Sequence, residues 1–380
     1  MNNITKSFVR SCVILLAGTI VLAGCQALHT DSTNTGTQKV AAILPLTGSL
    51  SFLGVPGKNA LLMASEKIKS LGKTKIDVQL YDSKADPKEA VTVAQKATEI
   101  DGANFLITTL TGPSLAIKPV AQQKKALQEV VAIYPEVAKD SNFALQACYS
   151  ADQEAATIVH RVISGNIKQI FVMYSLDQVS DLEVRKYIRP QLEQAHVRVE
   201  EQTFQVGNKD FRSQVLRLKQ SGIRNVILLG YGSDFPAALK EMADQGILDN
   251  IHILGGIGYL ELPDYVSYNL VKNAVFTSPE FNVNPTGSQL RKDFVDAYKK
   301  RFSANVVPYD AAYTYDALML LADALDNSKD KSPTGVREYI LSKGSFDGVT
   351  GHWAFTKEGN LISPMAIASF DPKMNIVAAK

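Results

Sequence analysis

Four short stretches carry hydroxyl, aromatic and acidic side chains to the ends of expected strands, and their chemistry is that of holding a small polar molecule. Thr111-Gly112-Pro113-Ser114 follows the apolar run Phe105 to Leu110 and opens a helix. Free backbone N–H groups at such a start, with the Thr111 and Ser114 hydroxyls, suit a carboxylate or another anion. Tyr134 and Glu136 follow an expected strand at Val130 to Tyr134, and Tyr231 and Asp234 follow one at Val226 to Leu229. Phe52 stands in the turn after the first strand. Each has a plainer alternative: Thr111, Ser114 and Asp234 as helix caps, Tyr134 and Glu136 as a solvated turn. Catalytic signatures are missing. There is no phosphate loop, no GxSxG, no HExxH and no CxxC, and His29, His160, His196, His252 and His352 lack metal-ligand spacing. The sequence therefore reads as a binder without catalysis, cofactor or metal.

These stretches need a scaffold, and the hydrophobic pattern supplies one. From Gln38 onward, strand-like and helix-like segments alternate with short connections. Val40 to Leu44, Ile76 to Tyr81, Phe105 to Leu110 and Val130 to Tyr134 read as strands, with helices over Asn59 to Ser70, after Asp86-Pro87-Lys88-Glu89, and over Ser114 to Lys125. A second block repeats the rhythm: strands at Gln169 to Met173, Val197 to Phe204, Val226 to Leu229 and Ile251 to Leu254, and helices at Asp181 to Ala195, Phe211 to Gln220 and Ala237 to Gln245. Such repeats imply parallel sheets covered by helices on both faces, an α/β chain of two doubly wound Rossmann-like lobes. Helices at Gly287 to Arg301 and Ala311 to Ala324, and short strands at Trp353 to Phe355 and Met365 to Phe370, make a final segment too small for a third domain. It must pack back onto the first two, so the chain crosses between lobes more than once. Ligands in such sheets bind beyond the carboxyl ends of the strands, which puts Tyr174 to Gln178, Gly230 to Asp234 and Gly255 to Tyr259 opposite the first-lobe stretches.

The chain has 380 residues and a formal net charge of +2. Lys6 and Arg10 account for that excess, so the remainder is neutral and nucleic acid is not an expected partner. The same two residues precede an apolar run, Cys12 to Ala23, that is too short to span a bilayer and has the length of a signal-peptide core. It ends in Leu22-Ala23-Gly24-Cys25, which resembles the bacterial lipobox and implies cleavage before Cys25 and lipid on its sulfur. Residues 1–24 are then a signal peptide and 25–37 a flexible tether. Cys148 is left alone in the mature domain and reads as a packed core residue.

Ala42-Ile43-Leu44-Pro45-Leu46-Thr47-Gly48, Leu80-Tyr81-Asp82-Ser83 with Asp86-Pro87-Lys88-Glu89, Asn208-Lys209-Asp210-Phe211, Thr277-Ser278-Pro279, Tyr315-Asp316-Ala317 and Gly351 to Phe355 occur in an order and spacing that resemble the branched-chain amino-acid-type (Leu/Ile/Val-binding) periplasmic binding proteins, the type I class serving ABC transporters. The resemblance covers about residues 38–371. It implies lobe one at 38–147 plus 280–347, lobe two at 148–279 plus 348–380, and a three-strand hinge near Ala147-Cys148, Ser278-Pro279 and Asp347. It also implies that Thr111 gives its hydroxyl to a ligand carboxylate. Ile257 stands where the family places an acid for a ligand ammonium, and Ala138 and Val179 where it places a hydroxyl and an aromatic. Ala85 and Leu110 stand where it places a disulfide. Either Glu136, Asp177 or Asp234 supplies the charge, or the ligand is uncharged, an amide or a carboxylate.

Two functions fit. One is an exported, lipid-anchored monomer that delivers a small ligand to an ABC permease. The other is a regulatory or structural envelope lipoprotein that uses the same clamp on a protein partner. A cleft blocked by bulky side chains favours the second.

Overall fold

The computed structural model describes residues 36–379 apart from residue 73. The signal peptide, the lipid site Cys25 and the tether up to residue 35 lie outside the described residues. Strands β1 (Gln38–Leu44), β2 (Ile76–Asp82), β3 (Phe105–Thr109), β4 (Leu127–Val131) and β5 (Ala144–Gln146) form a parallel sheet in the order β2-β1-β3-β4-β5. A second sheet holds β6 (Gln169–Ser175), β7 (Arg198–Phe204), β8 (Asn225–Leu229), β9 (His252–Gly255) and β10 (Ala274–Pro279), all parallel. A small antiparallel sheet, β11 (Ser345–Gly348), β12 (Gly351–Phe355) and β13 (Leu361–Ile362), comes next. Finally β14 (Met365–Phe370) and β15 (Ile376–Ala378) join the second sheet antiparallel, in the order β15-β14-β10-β9-β8-β6-β7. Strand order reverses between β1 and β3 and between β6 and β8, the two places where an open α/β sheet leaves a crevice.

Local rules explain the helices around the site. Asp86 accepts hydrogen bonds from the Lys88 and Glu89 amides at 2.8 Å and Pro87 takes the first position of helix Pro87–Gln95, as the sequence predicts. Helix Tyr309–Asn327 is buried almost all round and packs with β1, β3 and helix Ser51–Leu71 in one core. Buried Asp316 ties that helix to the loop before β12: it accepts from the Val349 and Thr350 amides at 2.8 Å and from the Thr350 hydroxyl at 2.6 Å. The Trp353 indole donates to the same hydroxyl.

Three departures from the sequence reading bear on the site. The fourth strand is Leu127–Val131, three residues earlier than its expected end, because the polar pair Gln128 and Glu129 lies buried inside it. A helix, Ala151–Ser164, precedes β6 where none was expected. Val349, Trp353 and Leu361 pack in the first lobe's core, so residues 348–362 do not belong with the second lobe. The last crossing therefore falls between β13 and β14, beside Ser363 and Pro364, rather than at Asp347. There Gln153 holds the Ser363 amide and Tyr313 the Ser363 hydroxyl.

Candidate functional site

The carboxyl ends of both sheets border one cavity of about 330 Å³. From the first lobe, β3 and the helix after it contribute Thr109, Leu110, Thr111 and Gly112. Helix Thr111–Lys124 starts three residues earlier than expected, and Leu110 immediately before it has φ 67°. A leucine in left-handed backbone is strained, and such strain collects at binding sites. The Thr109 hydroxyl is buried at the cavity wall with no hydrogen-bond partner.

From the second lobe come five acidic or polar contributors. Glu154, on the unexpected helix, is 1% exposed. Its carboxylate accepts from the Ile257 amide and the Thr277 hydroxyl, each at 2.6 Å. A buried carboxylate therefore lies against the backbone of position 257, whose own side chain is apolar. Gly256 permits it, since a Cβ there would lie 2.7 Å from a Glu154 oxygen. Asp177 caps helix Gln178–Leu182 by accepting from the Val179 and Ser180 amides at 2.9 Å, and it also reaches the cavity wall. Glu183 follows in a π-helical turn, Glu183–Ile188, a local widening common at functional sites. It is 3% exposed, and one carboxylate oxygen has no partner. Gly230 and Tyr231 follow β8, and Glu261 follows the Gly256–Gly258 loop. Tyr309 and Asp310, at the start of helix Tyr309–Asn327, close the hinge side, with the Tyr309 hydroxyl 3.4 Å from Glu261.

Burial governs the acids. It pushes Glu261 up to about 7, and together with the charge of Glu261 it pushes Asp310 up to about 8. Glu154 is raised by burial, against the two bonds that favour its charged form. Glu183 is driven well above the carboxylate range by burial, then by Glu154 and Asp177. No Lys, Arg or His lines the cavity among the described residues.

Of the expected ligand contacts, Thr111, Gly112 and Tyr231 are on this wall. Ser114 is not: it is buried inside its helix, donating to Thr108 at 2.9 Å. The early end of β4 moves Tyr134 away, to pack beside Val130 and Val137, and puts Ala132 and Ile133 at the cavity instead. Glu136 pairs with Lys139 at 3.0 Å and, across to the second lobe, with Lys186 at 2.8 Å. Asp234 is fully buried and accepts from the Gly207 amide. Phe52 is 57% exposed in the first turn of helix Ser51–Leu71 and is off the wall. Cys148 is buried, as expected, and touches the cavity. Glu154, Glu183, Glu261 and Asp310 were missed. The available signal was an acid within an apolar helical stripe: Glu154 lies in register with Ala151, Ala155, Ile158 and Val162.

A family profile described as "Periplasmic binding protein" matches residues 37–375. The "Leucine-, isoleucine-, valine-, threonine-, and alanine-binding protein" of Pseudomonas aeruginosa is 23% identical over 86% of this chain and 87% of its own length. Among solved structures, the branched-chain amino acid transporter substrate binding protein LivJ of Streptococcus pneumoniae, in complex with isoleucine, superposes with TM-score 0.77 at 21% identity over 91% of this chain and all of that one. A solute binding protein of an ABC transporter from Rhodopseudomonas palustris, in complex with 3,4-dihydroxy benzoic acid, gives 0.74 at 20% identity over 88% and 93%. These likenesses establish a shared type I fold, found in structures solved with chemically different small molecules. By the extent of the profile match and by its two crossed α/β lobes, this chain belongs to the periplasmic binding protein family.

Proposed function

We propose that the chain is an exported, lipid-anchored solute-binding protein that closes its two lobes on a small polar ligand and delivers it to an ABC permease, without changing it chemically. The lobes would rotate about the crossings near Ala147-Cys148, Pro279 and Ser363-Pro364. The observation that carries this reading is the cavity itself, which is open and bordered by polar groups of both lobes. Hydroxyls and helix amides at Thr109 and Thr111 lie in one lobe, and the carboxyl groups of Glu154 and Glu183 in the other. A ligand that bridges them gains contacts only when the lobes approach, so binding drives closure. An open cavity also favours a solute over the alternative of a protein-binding envelope lipoprotein.

The test is thermal unfolding of the full chain against amino acids, amides, carboxylates and small aromatics. A solute at 100 times its Kd should stabilise the fold by about 2.7 kcal/mol. Thr111→Ala should abolish that shift. A library that shifts nothing refutes solute capture. For the anchor, Cys25→Ser should move the protein from the membrane to the soluble fraction; unchanged membrane retention refutes lipidation at Cys25.

A further inference from the structure

We infer that the cleft selects an organic cation, a ligand carrying at least two amino or guanidino groups and a net positive charge, as in a basic amino acid or a diamine. The inference rests on the solute-binding reading and narrows it. Five carboxyl groups line the cavity: Glu154, Asp177, Glu183, Glu261 and Asp310, with no basic side chain among the described residues to offset them. Glu154, Asp177 and Glu183 sit on the helices beside β6, where Glu154 and Asp177 both act on Glu183 electrostatically. Glu261 and Asp310 sit at the hinge, where they repel each other, and Glu154 also acts on Glu261, so the five form one continuous acidic wall.

A zwitterion with one ammonium and one carboxylate adds as much negative as positive charge to this wall. A ligand with a net positive charge instead favours the ionised form of acids that burial otherwise keeps protonated, and is held by them as they give up their protons. A second cationic nitrogen gives the further carboxyl groups of the wall a charge-assisted hydrogen-bond partner. Two further observations point to a ligand. The Glu183 oxygen left without a partner belongs to a side chain 3% exposed at the cavity wall. The Thr109 hydroxyl, 7% exposed, is likewise unpartnered on the opposite side. Leu53, Ile133, Leu229 and Ile257 on the same wall suit a methylene chain. An inorganic cation fits less well, because no cluster of three or more His, Cys, Asp or Glu among the described residues has the arrangement to hold a metal ion. Besides the five acids, the titratable groups facing the cavity are the Tyr231 and Tyr309 phenols and the Cys148 thiol, none of them cationic.

Isothermal titration of the full chain in mild detergent tests this, with lysine, arginine, cadaverine, leucine and glutamate as probes at one ionic strength. Lysine and cadaverine differ by a carboxylate alone. Lysine binding more tightly assigns the Thr109–Thr111 end to a carboxylate, and cadaverine binding more tightly assigns the ligand to the diamines; either supports the inference. We expect the best cation to bind at least 100-fold more tightly than leucine or glutamate. Glu183→Gln should weaken it at least tenfold. Because Glu183 accepts no hydrogen bond through its free oxygen, this variant should fold normally. Near pH 7, binding should release protons, read from buffers of different ionisation enthalpy. A purely structural Glu183 would leave both readouts unchanged and overturn the assignment. Leucine or glutamate binding in preference to the cations overturns the inference and leaves solute capture standing. If no probe binds, and the wider library also gives no thermal shift, both fall together.

Discussion

Replacing Lys186 by methionine should loosen the contact between the lobes by a calculable amount. Its ammonium lies 2.8 Å from a Glu136 oxygen, and the two side chains are 48% and 26% exposed. Glu136 belongs to the turn after β4 and Lys186 to the π-helical turn of the second lobe, so this pair bridges the two lobes. Exposed pairs of this kind contribute about 0.2–1 kcal/mol. That corresponds to a roughly 1.4- to 5-fold change in the ratio of closed to open molecules. Methionine keeps the aliphatic stem, and Glu136 retains Lys139 at 3.0 Å, so no charge is orphaned. The assay can use Cys148, which is 1% exposed on the cavity wall and should become more accessible to a maleimide as the lobes part. Its alkylation rate, followed by peptide mapping at low salt, should rise within that range in Lys186→Met. In wild type the rate should rise with salt as the pair is screened. A rate identical in both proteins and flat with salt would refute a latch at this position.

The remaining predictions concern the buried polar groups. Gly256→Ala keeps an allowed backbone, φ −91°, but its methyl would sit 2.7 Å from Glu154 and Leu229. It should displace Glu154 from Ile257 and Thr277 and lower stability by about 1–3 kcal/mol in urea unfolding; a wild-type midpoint would show that the acid needs no such approach. Asp316→Ala strands three buried donors and should cost more than about 3 kcal/mol; a smaller loss would mean that the loop before β12 finds other partners. Glu261 and Asp310 hold their protons to about 7 and 8 in the folded chain but to about 4 when unfolded. The fold thus binds more protons between those limits, and the stability they contribute is lost as pH rises through 7 and 8. The melting temperature of the unliganded protein should fall from about pH 5 to 8 and level off above that, and Glu261→Gln with Asp310→Asn should flatten the fall. An equally steep fall in the double variant would exclude these two acids as its source.

The alternation of strands and helices was legible because parallel strands buried on both faces read as unbroken apolar runs, as β1 and β3 do. It failed at β4 for the same reason. Gln128 and Glu129 interrupt the run, yet both are buried, and the Gln128 amide nitrogen donates to the Thr108 hydroxyl and the Ser114 carbonyl. That slip carried Tyr134 and Glu136 to a cleft they do not reach. The glycines and Thr111 at strand ends could be read because backbone geometry confines ligands there. The acids could not, since Glu154, Glu261 and Asp310 arrive from elements far apart in sequence and meet only in the folded cleft. The final crossing was misplaced because short strands such as β12 and β13 have too few residues to declare which core they serve.

Neither lobe is a continuous piece of chain, and this sets the order in which the protein can be made. The first sheet ends at Gln146, but the helix that seals it begins at Tyr309 and its core is finished by Trp353 and Leu361. The second sheet starts at Gln169, yet β14 and β15, its closing strands, are among the last residues described. A nascent or translocating chain therefore carries two unfinished apolar surfaces until nearly all of it has emerged. Pairings this distant in sequence form slowly. Delayed folding suits threading through an export channel, since a chain lacking its last 20 or so residues has no complete second lobe to jam there. The same architecture makes the carboxyl terminus a poor place for truncation, and ties the survival of the unfolded chain to whatever shields it during passage.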